Sequence, residues 1–248
     1  MPDKIKRGLK LWTCNHDQYD AAVSLVRTGQ VEFVELLYVP GHTTGLEKLS
    51  GIEVVLHGPT AQQGYCFGDG RTEQNSAVLF EMINWCDRLR ATCMILHPEF
   101  GTVSNFIRLL NTMDDHRFVV ENMPMYGIDP GKPLIAFTAD EIDEILNQTH
   151  AGFCLDLAHA VKAALALKTD YKPYVRRFMA FHPVIAHISD GRLDNTVDEH
   201  LDLGQGEFDL EFLNTLISKS SVTHLTFEVP KKNGLENDIK NMGFMHWG

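Results

Sequence analysis

Six hydrophobic runs in this 248-residue chain each close on a side chain that binds metals. VVLHGP carries His57, CMILHP carries His97, FVVENMP carries Glu121, FCLDLAH carries Asp156, VIAHISD carries His187 and LTFEVP carries Glu228. Imidazole and carboxylate without thiolate suit zinc, manganese or iron, and argue against a structural zinc knot. Two further clusters extend the set: His159 stands three residues after Asp156, and Asp198-Glu199-His200 follows the His187 run. Glu121 and Glu228 each follow apolar residues. A carboxylate charged at a buried strand end is costly unless a partner or a metal compensates it. The combination reads as a metal centre.

Such residues converge only if the elements carrying them do. Eight β-rich runs follow one another, at KLWT, VEFVELLYV, EVVLH, TCMILH, RFVVEN, AGFCLDL, VIAHIS and THLTFEV, with helical stretches between most of them. Val78, Leu79, Met82, Ile83, Cys86 and Leu89 recur at helical spacing after Arg71. Thr138 to Glu141 forms a capping box ahead of the stripe Ile142, Ile145 and Leu146. Asp209 can cap a helix carrying Leu210, Leu213, Leu216 and Ile217. The segment after the second run is short and Gly-rich, a poor setting for a helix. Gaps between the six strand-end residues run from 24 (97 to 121) to 41 (187 to 228), which fits one βα unit of about 30 residues per ligand. The expectation is a single (β/α)8 barrel, with residues 1–248 as one domain and the ligands at its C-terminal face. A doubly wound open sheet would want Gly-x-Gly-x-x-Gly after the first strand, and none is there.

Composition narrows the function classes. The net charge of −11 is the opposite of a basic nucleic-acid footprint. Five cysteines, an odd set without a Cys-x-x-Cys pair, fit a reducing compartment. The run MPDKIKRGLKLW lacks the apolar core of a signal peptide, and no apolar run approaches a membrane span, so a cytoplasmic address and no membrane partner are expected. His116, His150, His182 and His224 fall outside the strand ends and read as surface or core residues. Gly204-Gln205-Gly206 reads as a turn, and the tail GFMHWG as a segment that docks on the barrel bottom or on a second subunit. The oligomeric state is left open.

The pattern resembles the xylose isomerase-like TIM barrels, and within them the endonuclease IV branch (AP endonuclease family 2). The resemblance spans roughly residues 51–230, most of the chain. Its more specific parts are Asp156-x-x-His159 and the run from Asp198 to Gly206. That branch binds three metals through nine ligands, and all nine have a matching residue type in order. The resemblance implies His57, His97 and Glu121 for one ion, and Glu121, Asp156, His187 and Glu228 for a second. His159, Asp198 and His200 would hold a third. Zinc, up to three ions, is the implied cofactor, with manganese as the alternative. The single-metal sugar isomerases of the superfamily would need only Glu121, Asp156, His159, His187 and Glu228. His57, His97, Asp198 and His200 exceed that set. Two departures bear on the substrate. His57-Gly58-Pro59-Thr60 lacks the aromatic wedge that the DNA-repair members carry three residues after the first His, and VPGHTTG lacks their inserted arginine.

The expected activity is therefore metal-dependent hydrolysis of a phosphoester or phosphodiester, with Glu121 bridging two ions and Glu228 able to take a proton from water. A small phosphorylated or sugar substrate is favoured over duplex DNA. The alternative is a single-metal sugar or sugar-phosphate isomerase or epimerase in which Glu121 and Glu228 exchange a proton, with Arg192 and Lys162 as candidate phosphate or hydroxyl contacts. A barrel that binds a metal or metabolite without turnover ranks third. Asn122 and Asp190 are candidates to orient the ligands.

Overall fold

The computed structural model describes residues 5–127 and 131–245. Eight strands close into a barrel in chain order, every neighbouring pair parallel. They are β1 (Lys6–Trp12), β2 (Phe33–Leu37), β3 (Val54–His57), β4 (Met94–Leu96), β5 (Phe118–Glu121), β6 (Gly152–Asp156), β7 (Ile185–Ile188) and β8 (His224–Phe227). The helices around them are α1 (Tyr19–Arg27), α2 (Glu73–Leu89), α3 (Val103–Met113), α4 (Ala139–Gln148), α5 (Leu157–Ala166), α6 (Tyr171–Met179), α7 (Leu210–Ser218) and α8 (Glu236–Met242). The (β/α)8 expectation holds, with two irregularities. Only a 3-10 turn at Leu46–Leu49 stands between β2 and β3, and two helices, α5 and α6, stand between β6 and β7.

The expected helix starts form as the capping chemistry requires. Thr138 accepts from the Glu141 amide while the Glu141 carboxylate accepts from the Thr138 amide (3.1 Å). Asp209 accepts from the Phe212 amide. Parallel strands are covered on both faces, which is why the strand runs are apolar throughout, and their outer side chains pack against the helices in one continuous core.

The barrel interior is layered by the two-residue period of a strand. Phe33, Val55, Ile95, Val119, Cys154 and Ile185 form an apolar lower layer. Gly8 belongs to this layer, and the Phe33 ring fills the space its side chain would take: a Cβ there would meet the ring at 2.3 Å. Two residues further along each strand, the same inward direction carries Lys10, Glu35, His57, His97, Glu121, Asp156 and His187. Glu228 stands two residues after the inward Thr226. The apolar layer thus serves as the floor of a polar one.

All five cysteines are free. Among the described residues, no helix is long and apolar enough to cross a membrane. The tail expectation is partly corrected: the Phe244 ring lies over Gly204, in the loop after β7, so the described part of GFMHWG packs there rather than on the barrel bottom. Residues 246–248 lie outside the described residues. His224, at the start of β8, donates from Nε2 to Glu53 (2.7 Å), which also pairs with Lys6 at the opposite end of the barrel from the cluster.

Candidate metal centre

The nine sequence-predicted ligands come together in three groups at the C-terminal face. Within each group, the donor atoms lie within 4.8 Å of one another. The groups are His57, His97 and Glu121; Glu121, Asp156, His187 and Glu228; and His159, Asp198 and His200. Glu121 joins the first two. Its Oε2 stands 3.3 Å from His57 Nε2 and 3.0 Å from His97 Nε2, while its Oε1 stands 3.2 Å from His187 Nδ1 and 3.4 Å from His159 Nδ1. One carboxylate therefore presents an oxygen to each of two ligand sets.

Each histidine is oriented by a hydrogen bond on one nitrogen that leaves the other aimed at the carboxylates. His57 Nδ1 donates to the Gly58 carbonyl (2.8 Å), His159 Nδ1 to the Asn122 carbonyl (2.9 Å) and His200 Nδ1 to the Glu228 carbonyl (3.0 Å). His97 Nδ1 donates to Glu99 (3.3 Å) and His187 Nε2 to Glu35 (2.8 Å). A carbonyl or carboxylate behind the ring is how metal-binding imidazoles are held in one tautomer.

The Asp156-x-x-His159 motif is a helix cap put to use. Asp156 Oδ1 accepts from the His159 amide (2.7 Å), which starts α5 and folds His159 back over the strand end. Asp156 Oδ2 remains on the side of His187, 3.8 Å from Nδ1. Asn122 zips the ends of β5 and β6 through two bonds to the Asp156 backbone. In the third group, Asp198 Oδ2 bonds His200 Nε2 and lies 3.6 Å from His159 Nε2. His200 itself sits at φ +48°, a left-handed conformation that costs a non-glycine residue about 1–2 kcal/mol.

The donor set fits divalent cations. Asp198 Oδ1 and His97 Nε2 are buried without a hydrogen bond, although His97 Nε2 and Glu121 Oε2 approach to 3.0 Å. Without cations the charges bear on one another strongly. Burial alone would lower the His97, His159 and His200 values, but the neighbouring carboxylates outweigh it and push them up to about 10, 10 and 9. His57 goes the other way, lowered by burial and by the Lys10 ammonium. Burial, with Glu121 and Glu228 nearby, raises Asp156 to about 6.

The profile of the xylose isomerase-like TIM barrels matches residues 45–244. The chain belongs to that family. Within it, a probable endonuclease 4 of Mycoplasma mycoides subsp. mycoides SC is 21% identical over 164 residues, which span 60% of this chain and 56% of that protein. Endonuclease IV from Thermus thermophilus superimposes with a TM-score of 0.69 at 17% identity, over 97% of both chains. D-Psicose 3-epimerase from Clostridium cellulolyticum H10, solved with D-tagatose, gives 0.59 at 11% identity, over 95% of this chain and 89% of that one. At these identities the structural likenesses speak for the fold alone.

This xylose isomerase-like barrel also holds charged residues that the sequence reading passed over. Lys10 is 5% exposed and Glu35 is fully buried. The Lys10 ammonium bonds Glu228 and stands 3.1 Å from Glu35, and Glu35 in turn accepts from Thr226 (2.6 Å). Burial opposes these charges, yet His187 and Lys10 hold Glu35 down to about 2, and the surrounding carboxylates keep Lys10 protonated. The missed signal was the alternation itself: Lys10 and Glu35 face inward two residues beyond Gly8 and Phe33.

Other expectations change with the structure. Lys162, a candidate phosphate or hydroxyl contact, is engaged elsewhere. It is buried in α5, where its ammonium donates to the Arg192 and Asn195 carbonyls and to Glu199 (2.6 Å), so it holds the loop after β7 rather than a substrate. Arg192 is exposed. Asp190 accepts from the amides of Gly191, Gly204, Gly206 and Phe208. It shapes the turn rather than orienting a ligand, and Gly204-Gln205-Gly206 is that turn.

Proposed function

We propose that this chain is a metal-dependent phosphoester hydrolase working through two or three ions. The observation that carries the reading is Glu121, whose two oxygens face separate ligand groups. A single-metal isomerase has no use for the His57–His97 side of that carboxylate, nor for the His159–Asp198–His200 group.

Cations bound there would supply Lewis acidity, bringing the pKa of water toward neutrality and offsetting phosphoryl charge. The chain's residues do the rest. Glu121 holds the two ligand sets in register. Lys10 keeps Glu228 ionised and aimed at the centre, where Glu228 takes a proton from the attacking water. The water oxygen bonds to phosphorus as the ester P–O bond breaks; the departing oxygen takes a proton from solvent and leaves as an alcohol, and Glu228 returns the proton it took to solvent. Glu35 and the Asn122 and Glu228 carbonyls keep the imidazoles in their working tautomers. A small substrate suits the site. Thr60, where the DNA-repair members place a wedge, spends its hydroxyl capping a 3-10 turn at Ala61–Gln63, and the cavity above the cluster is about 580 Å³.

The test is metal content per chain, measured on protein purified without added metal or chelator, alongside turnover of p-nitrophenyl phosphate and its bis ester. Two or three zinc or manganese ions, with turnover lost in His57→Ala and His200→Ala, are the expected result. One ion per chain, retained in both variants and lost in Glu121→Gln, would place the chain with the sugar isomerases instead.

A further inference from the structure

The cavity over the cluster is ionic at its floor and apolar at its sides, and the two apolar sides face each other. Trp12, Leu37 and Val229 line it from the ends of β1, β2 and β8, which are neighbours in the barrel. Phe100, Met123 and Leu134 line it from the segments after β4 and β5. In a closed barrel of eight strands, β1 and β5 lie diametrically opposite, so the metal cluster lies at the foot of a slot between two apolar walls. Trp12 and Phe100 are both half-buried and line the cavity, and the Lys132 ammonium stands over one face of the Phe100 ring, 4.5 Å from its centre.

A free sugar is a poor occupant of such a slot. Its hydroxyls would need partners along both walls, and a hydroxyl desolvated without one is penalised. Polar side chains do line the β3 side at Thr60, Gln62 and Gln63, but Thr60 and Gln63 are bonded to each other (3.0 Å). A flat apolar ring satisfies the walls without polar partners and gains by stacking on aromatic faces. The floor demands the reverse, an anionic head that clustered cations and the Lys10 ammonium attract.

We infer that the substrate is a phosphate ester whose alcohol part carries a flat ring, with the phosphate at the cluster and the ring between the Trp12 and Phe100 walls. This rests on the hydrolase reading for its phosphate end and on the slot alone for its ring. Nucleosides and aryl groups share this chemistry.

The experiment is calorimetric titration of the metal-loaded protein with adenosine 5′-monophosphate, phenyl phosphate, ribose 5-phosphate, inorganic phosphate and adenosine. Indole fluorescence is followed in a background carrying Trp85→Phe and Trp247→Phe. The ring-bearing esters should bind at least about tenfold tighter than ribose 5-phosphate and inorganic phosphate, and should quench Trp12. Trp12→Ala, and separately Phe100→Ala, should erase that preference while leaving the affinity for inorganic phosphate unchanged. A ratio of adenosine monophosphate to phenyl phosphate affinity well above one assigns a nucleoside; a ratio below one assigns an aryl ester. Equal affinity for every phosphate compound overturns the slot and leaves the hydrolase reading standing. Adenosine binding as tightly as its monophosphate overturns the phosphate end, and the hydrolase reading with it. A ring preference that survives both wall variants also refutes the placement.

Discussion

Glu35 is not one of the nine predicted ligands, although it lies with His57 and Glu228 in a further cluster of possible donor atoms, and its replacement should weaken metal binding in one of the three groups and spare the others. Its Oε2 holds His187 Nε2 at 2.8 Å, which leaves Nδ1 free to face Glu121, Asp156 and Glu228. In Glu35→Gln the amide oxygen can still accept from His187, but the ring loses the negative charge that raises its basicity. The Lys10 ammonium, now shared with no second carboxylate, holds Glu228 more tightly, which acts in the same direction. Loss of a carboxylate behind a metal-binding imidazole costs about 10- to 100-fold in metal affinity, about 1.4–2.7 kcal/mol. The assay is competition for zinc against a chromophoric chelator, resolved into stepwise constants and repeated for His57→Ala and His200→Ala to assign each step. One constant should fall in Glu35→Gln, the one belonging to the Glu121–Asp156–His187–Glu228 group. Unchanged constants, or an equal fall in all of them, would refute the reasoning. Glu35→Ala serves as the control for burial: removing one partner of a buried pair costs about 3–5 kcal/mol of stability, so that variant should unfold measurably earlier.

Other perturbations read other parts of the molecule. His97, His159 and His200 are raised above neutrality in the metal-free protein and must be neutral to bind a cation, so zinc added near pH 7 in weak buffer should release protons, and affinity should fall as pH falls; loading without acidification would contradict this. At the barrel bottom, burial pushes the Glu53 carboxyl up, but its bonds to Lys6 and His224 outweigh that and leave it below its ordinary value. Its stabilisation is therefore complete above the unfolded-state value and is lost as pH falls through the folded one. Since Lys6 is 42% exposed, Glu53→Gln should remove only about 0.5 kcal/mol near pH 7 and nothing at about pH 2, as followed by urea unfolding. Gly206→Ala should cost about 1–3 kcal/mol in thermal unfolding and lower occupancy of the third ion, because a Cβ there would stand 2.4 Å from Asp190 Oδ1 and 2.5 Å from the Gly191 carbonyl.

The barrel and its nine candidate ligands were legible because the strand-end ligands lie at or beside the ends of β-rich runs. His57, Glu121 and Asp156 are the last residues of their strands, His97 and Glu228 follow theirs by one, and His187 precedes the end of β7 by one. Lys10 and Glu35 were not, because a lone charge inside an apolar run reads as an interruption until its neighbours in the barrel are known. Glu35 meets His187 across 152 residues of chain, and no local pattern carries that contact. Lys162 reads as a substrate contact for a related reason. A lysine in an alanine-rich helix suggests solvent, and only the fold reveals the carbonyls that receive it.

Lys162 and His159 are one turn apart on α5, and that spacing has a mechanical consequence. The helix supplies a candidate ligand to the third group and, through the Lys162 ammonium, anchors the loop that supplies the other two. A displacement of α5 would carry ring and loop together, so the three donors of the third group would keep their mutual spacing. By the barrel's order the rim opposite that group is the one beyond β2 and β3, where Thr60 and Gln62 line the cavity.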